Sequence, residues 1–237
     1  YIVDGQRGIR NPLGMMGYRL EVETHIVTAA ETALQNLRHC VELNHIDVLD
    51  LVLQPLASAE AVLTDEERNM GVMLVDIGGG TTDVAIYTRG SVWSTSVYPL
   101  AGYHITNDIG MLLHTPFAAA EDAKIRYATA TPWEIDEHEM IEIAIFGEDQ
   151  SRQIGRRELC EIVYARVDEI LETIAQDMRR NGLESLMSAG VVLTGGTASL
   201  RGLRQVAEQK LGLPVRVGTP QRLHGLVEAI SSPAYAT

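Results

Sequence analysis

The pattern of apolar and polar positions changes character near residue 71. Before it, residues 18–27 alternate, with Tyr18, Leu20 and Val22 on one face and Arg19, Glu21 and Glu23 on the other. That period of two predicts a half-buried strand, and Gly14 and Gly17 ahead of it predict a turn from an earlier short strand. Thr28 followed by Glu31 forms a capping-box pattern, so a helix is expected from there to about residue 43. An apolar run over 48–53 closes at Pro55, a second helix is expected over 57–63, and a charged stretch follows over 64–69. After Gly71 the apolar positions become continuous. Val72, Met73, Leu74 and Val75 read as a strand covered on both faces.

Further strands are predicted at 84–88 and 92–98, joined by Arg89 and Gly90, then helices at 106–113 and 118–127. Residues 115–150 are more polar, with one strand over 142–146. A long amphipathic helix spans 156–180 and stops at Asn181-Gly182. A buried strand at 190–193, a helix at 200–211 and a strand at 214–217 complete the series. Strands alternating with helices predict an α/β fold whose glycine loops sit at strand ends, where such folds bind ligands.

Composition narrows the function more than the fold. The chain has 237 residues and 46% apolar content, and its net charge is -13. That charge opposes binding to nucleic acid, and no apolar run reaches the roughly 18 residues of a membrane span. Cys40 and Cys160 lack CxxC spacing and lie among apolar neighbours, so both are expected to be buried free thiols of a cytosolic protein. His25, His39, His45 and His104 have no metal-ligand spacing. Ser58, Ser91 and Ser96 lack a nucleophile-elbow context. The chain begins at Tyr1, and its opening YIVDGQRGIRNP reads as if entered mid-chain, so a fragment with sequence missing at both ends is expected.

Two loops carry the candidate chemistry. The first runs Asp76-Ile77-Gly78-Gly79-Gly80-Thr81-Thr82-Asp83. Three successive glycines let backbone N–H groups converge into a nest suited to phosphate, and Thr81 and Thr82 add hydroxyls. Asp76 at the strand end would face the same point through a Mg²⁺ and its waters. A glycine-rich hairpin turn is the plainer alternative. The second loop, Thr194-Gly195-Gly196-Thr197, again follows a buried strand. Its paired glycines offer a flat backbone to a base or ribose, or else make a tight strand-to-helix turn.

Together these loops resemble the second phosphate motif and the adenosine motif of the actin, heat-shock chaperone and sugar-kinase superfamily. Within it the chain is most similar to the bacterial cell-division FtsA family. The blocks GIRNPLGMMGYRLEVETHIVTA, PLASAEAVLTDEER, GVMLVDIGGGTTDVAIY, GVVLTGGTASLRGL and SSPAYAT occur in the matching order. The resemblance implies an actin-like, ribonuclease H-like fold. Residues 1–28 would be part of subdomain 1C, 29–70 the end of 1A, 71–115 and 190–237 the two parts of 2A, and 116–189 subdomain 2B. The first phosphate motif and the C-terminal membrane-targeting helix of the family are not recognisable in this chain.

The resemblance also implies ligands, partners and place. ATP or ADP with Mg²⁺ would be held by Asp76, Gly78, Gly79, Gly80, Thr81, Thr82, Gly195, Gly196 and Thr197. Glu121 and Lys124, three apart on one helix, would contact ribose and base, or else form a plain surface ion pair. Gln54 would orient the attacking water, but it cannot take a proton, so at most a slow ATPase is implied. Subdomain 2B would receive the C-terminal tail of FtsZ. Arg156, Arg157, Arg166 and Glu169 on the long helix are its candidate contacts, or else a solvated face. The implied protein is a self-associating adaptor working with other division proteins on the cytoplasmic face of the membrane at the septum. It would reach the inner membrane only through the missing C-terminal helix. A PilM-like pilus-assembly protein and a sugar-kinase-type phosphotransferase are the alternatives, the latter lacking a visible substrate carboxylate.

Overall fold

The computed structural model describes residues 1–9, 11–147, 151–221 and 230–237. Contacts divide the chain into two units, Tyr1–Leu53 and Gln54–Thr237.

In the first unit β1 (Ile2–Val3) pairs antiparallel with β2 (Leu20–Glu21). Asp4 braces the pair by accepting backbone N–H groups from Tyr18 and Arg19 at 3.0 and 2.8 Å. The expected turn is therefore present, but the strand expected over 18–27 is only two residues long, and Tyr18 is fully exposed. A strand persists only as far as a neighbour pairs with it, and β1 supplies two residues. The helix α1 (Glu31–Glu42) forms as expected, but its N-cap is Ala30 rather than Thr28, with no side-chain cap. Cys40 on this helix is exposed, which corrects the expectation of two buried thiols; Cys160 alone is buried.

The second unit opens with α2 (Gln54–Val62) and α3 (Asp65–Met70). The charged stretch over 64–69 thus folds as a helix. Thr64 accepts from the Glu67 N–H at 3.2 Å, and the Glu67 carboxylate accepts from the Thr64 N–H at 2.8 Å. These bonds satisfy orphan donors that a short helix cannot leave bare. A five-stranded sheet follows, built from β3 (Val72–Ile77), β4 (Thr82–Thr88), β5 (Ser91–Tyr98), β8 (Val191–Thr194) and β9 (Val215–Val217), in the order β5-β4-β3-β8-β9. β3, β8 and β9 run parallel; β4 and β5 run antiparallel to their neighbours.

Between β5 and β8 lie α4 (Gly102–Leu112), α5 (Phe117–Tyr127), the hairpin β6 (Met140–Ile143) and β7 (Arg152–Gly155), and α6 (Arg156–Arg180). α7 (Leu203–Leu211) connects β8 to β9. The strand β7 carried no periodic signal, and α4 starts at Gly102, four residues before the expected Thr106.

The apolar run over 72–75 of β3 follows from cover on both faces. Val72 and Leu74 pack with Ala59, Val62 and Leu63 of the α2 side, while Met73, Val75 and Ile77 join Ile105, Ile109, Leu171 and Ile174 on the other. Successive side chains point to opposite faces, and helices cover both. The same parity sends Asp76 to the α2 side.

Arg216 on β9 staples the α2–α3 corner, gripping Glu67 with its fork at 2.6 and 2.8 Å and reaching Val62 O at 2.8 Å. Burial pushes the Glu67 carboxyl up, but Arg216 and Thr64 outweigh it and hold it below its ordinary value of 4.5. The native state therefore binds this proton less readily than the unfolded chain. Stability from the staple is complete above that ordinary value and fades as pH falls through the lower native one. The melting temperatures of the wild type and Glu67→Gln should differ at neutral pH and converge as the pH falls below the lowered native value. Parallel acid titrations that never converge would refute this.

Candidate functional site

The two glycine loops leave β3 and β8, which are adjacent and parallel, so both emerge at the same end of the sheet. They are tied together there. Thr197 donates its hydroxyl to Gly78 O at 2.9 Å. The N-terminus of α4 closes onto the first loop, Gly102 N–H donating to Gly78 O and Tyr103 N–H to Gly79 O at 3.1 and 2.7 Å. Gly102 has to be glycine for this approach, because a Cβ there would lie 2.5 Å from Thr197 Oγ1.

Around this junction opens a cavity of about 520 Å³, the size range of small-molecule sites. Gly78, Gly79, Gly196 and Thr197 line one side, and Glu121 and Lys124 of α5 line another. Lys124 Nζ lies 2.7 Å from the Glu121 carboxylate and donates to Thr106 Oγ1 at 2.8 Å and Gly102 O at 3.2 Å. Thr106 in turn donates to Glu121. Burial pushes the Glu121 carboxyl up, but the hydrogen bonds from Lys124 and Thr106 prevail and hold it below the usual carboxylate range. The pair is therefore a fixed ionic edge on the cavity wall, anchored to the start of α4.

Sequence reasoning missed the aromatic end of the cavity. Tyr103 and Phe117 stack with ring centroids 5.2 Å apart, both half-exposed, and both line it with Arg201. No motif joins residues on α4, α5 and the loop after β8; only the fold brings them together.

The remaining predicted residues lie elsewhere. Thr82 is fully buried and donates to Leu100 O at 2.6 Å, and Thr81 donates to Asp83 at 2.9 Å, so both hydroxyls serve the β4 hairpin in this state. Gln54 is the exposed first residue of α2. Asp76, 2% exposed, stands behind the loops. It accepts from Ser58 Oγ at 2.6 Å and Thr237 Oγ1 at 3.0 Å. Asp83 is its cross-strand partner on the same face. Burial pushes the Asp83 carboxyl up, the Thr81 hydrogen bond opposes this, and the charge of Asp76 adds to the rise.

Among the described residues no Lys or Arg pairs with either aspartate, and no three His, Cys, Asp or Glu side chains converge on a metal position. Two buried acids without a basic partner fit a cation held through water and phosphate oxygens, and not a site made of protein ligands alone.

On the long helix, Arg156 is held by Glu139 at 2.7 Å and donates to Tyr127 O at 2.8 Å. Arg157 meets Glu137 at 2.5 Å and Glu161 at 3.5 Å. Arg166 grips Asp108 of α4 at 2.6 and 2.9 Å and also pairs with Glu169. All three arginines are thus engaged within the chain, and Arg157 is the most exposed of them.

Comparison with known proteins decides the family. The model of cell division protein FtsA matches residues 73–237, and that of the SHS2 domain inserted in FtsA matches residues 1–28. The chain belongs to the FtsA family. It is 45% identical over 237 residues to cell division protein FtsA of Pseudomonas aeruginosa, covering all of this chain and 57% of that protein. The Bacillus subtilis FtsA is 40% identical, again over the whole chain and 52% of its own length. The chain thus spans just over half the length of these FtsA relatives.

Its fold is that of the actin-like ATPases. MreB5 of Spiroplasma citri bound to ADP superposes with TM-score 0.67 at 18% identity, over 81% of this chain and 61% of that one. The PilM-PilN type IV pilus biogenesis complex gives 0.66 at 16%, over 86% and 55%. At such identities the likeness speaks for the fold alone. The division family rests on the FtsA match.

Proposed function

We propose that this chain is the nucleotide-binding part of an actin-like division adaptor, which binds ATP or ADP with Mg²⁺ and uses the bound state to govern its self-association. The observation that carries the reading is the cavity where both glycine loops meet the Glu121–Lys124 pair. Its chemistry suits a nucleotide from end to end. Backbone N–H groups of a glycine loop suit phosphate oxygens. Glu121 accepts from ribose hydroxyls while Lys124 donates, and the apolar and aromatic end takes a base. The solved structures of MreB5 with ADP and of MreB 5 with AMPPNP, on the same fold, support a nucleotide here.

When bound, Mg²⁺ would neutralise phosphate charge, and Asp76 is the residue that would hold its water shell. Gln54 orients a water without accepting its proton, so hydrolysis is slow. Family membership supports the division partners: filaments of the adaptor tether FtsZ through its C-terminal tail at the inner face of the septal membrane. Subdomain 2B, residues 116–189, is the proposed receiver of that tail, with Arg157 the most accessible of the three candidate arginines on the long helix. Among the described residues no helix is long and apolar enough to cross a membrane.

Calorimetric titration with ATP and Mg²⁺ tests the reading. Lys124→Ala should weaken binding by about tenfold or more, the loss expected when a charge-assisted hydrogen bond goes. Unchanged affinity in the folded variant, or no binding by the wild type, would overturn it.

A further inference from the structure

The Asp76 carboxylate is held from three directions that lie far apart in sequence. Ser58 Oγ on α2 is 2.6 Å from Oδ2, and Thr237 Oγ1 is 3.0 Å from the same oxygen. The two hydroxyls are themselves 2.7 Å apart. Oδ1 abuts the second glycine loop at Gly195, where even a methyl group would overlap it. Ser58 is fully buried and Asp76 nearly so.

The segment that brings Thr237 there is itself fastened to the second loop. Gly195 N–H donates to Pro233 O at 3.1 Å, and Thr194 Oγ1 donates to the same carbonyl at 3.3 Å. Ala236 is buried beside α2 and β3. The carboxylate therefore cannot rotate without breaking hydroxyl contacts from both ends of the unit. Among the described residues no cation balances it. A buried carboxylate held by hydroxyls alone keeps unspent charge, which a cation outside the protein can use.

We infer that Ser58 and Thr237 are positioning residues, which occupy Oδ2 of Asp76 and so fix its carboxylate, and the unbalanced charge it carries behind the glycine loops, for the cation of a bound nucleotide. The inference deepens the nucleotide reading and rests on it. Neither residue touches nucleotide; they act through Asp76. A freely rotating carboxylate would have to be ordered on every binding event, and this clamp supplies that order beforehand.

The test is the dependence of ATP affinity on Mg²⁺, measured by calorimetry on the 237-residue chain with Mg²⁺ and with a chelator. The wild type should bind ATP more tightly with Mg²⁺. Ser58→Ala should shrink that gain by about tenfold, in line with the loss of a hydrogen bond to a charged group. Thr237→Val should shrink it in the same direction and Thr237→Ser should restore it, since Thr237 is exposed enough to change without harm to the core. A merely structural role would weaken ATP binding equally with and without Mg²⁺, and that result overturns the inference. If Ser58→Ala melts early, the Thr237 pair decides alone. Wild-type binding indifferent to Mg²⁺ would refute the positioning role and leave the nucleotide reading standing. No ATP binding at all would remove both.

Discussion

Gly195→Ala should lower the melting temperature by roughly 10 °C and abolish ATP binding, the largest effect of any single methyl group in the site. Gly195 has φ 87° and ψ 166°. That region is open almost solely to glycine and costs another residue about 1–3 kcal/mol. The added Cβ would also lie 2.5 Å from Ile77 O and 2.7 Å from Ile77 C, and it would overlap Asp76 Oδ1. Overpacking against a backbone that cannot move aside costs about 1–3 kcal/mol more. The two terms together come to about 2–6 kcal/mol, against about 2–4 °C per kcal/mol for a domain of this size. Both glycine loops and Asp76 would be displaced, so binding goes with stability. Gly79→Ala is the control. A Cβ at Gly79 has nothing within 4 Å, and its melting temperature should stay near the wild type. Differential scanning calorimetry of the two variants checks the contrast, and equal melting temperatures would contradict it.

That contrast shows what the sequence pattern held and what it did not. The run from Val72 to Val75 announced a strand covered on both faces, and alternating contacts with α2 and with α4 and α6 explain why no polar residue interrupts it. The long helix was legible to its last residues, because nine buried side chains at helical spacing over Arg156–Arg180 leave one reading. The capping box at Thr64 went unread, because the run of charge over 64–69 reads as a solvated stretch rather than as a helix start. The alternation over 18–27 misled, because period two reports which side chains share a face and not whether a partner strand exists to pair with them.

At the candidate site the motifs located the backbone and missed the walls. Glycine runs are visible because only glycine allows such turns and approaches. The spacing of Glu121 and Lys124 on α5 showed a pair on one helix face, and only the family resemblance singled it out for the site. Tyr103, Phe117 and Arg201 carried no signal, since each is an ordinary residue until α4, α5 and the loop after β8 converge. Ser58 and Thr237 lie 179 positions apart and meet at Asp76 only because α2 and the 3₁₀ turn at Pro233–Tyr235 both pack at the end of β3. Contacts of that range have no local pattern.

Arg166→Glu should cost about 2–3 kcal/mol of stability, so any loss of peptide binding it caused could not be read as loss of a contact. The Arg166 fork closes on both oxygens of Asp108, joining α6 to α4, and a second contact reaches Glu169. The side chains of Arg166 and Asp108 keep 22% and 16% of their exposure. Their pairing is therefore worth less than the roughly 3–5 kcal/mol of a fully buried pair and more than the 0–1 kcal/mol of a surface one. Glutamate at 166 would face two carboxylates at once. The reciprocal variant Asp108→Arg with Arg166→Asp restores opposite charges across the same gap, and it should recover at least half the loss. Urea unfolding of the wild type, Asp108→Arg, Arg166→Asp and the double variant gives the coupling directly. Additive single and double variants would show that α4 and α6 do not depend on the pair. The same charge swap then serves the partner question. A peptide that docks on this face through the positive charge at 166 should be lost in the swapped, stable protein. One that docks beside Arg157 should still bind.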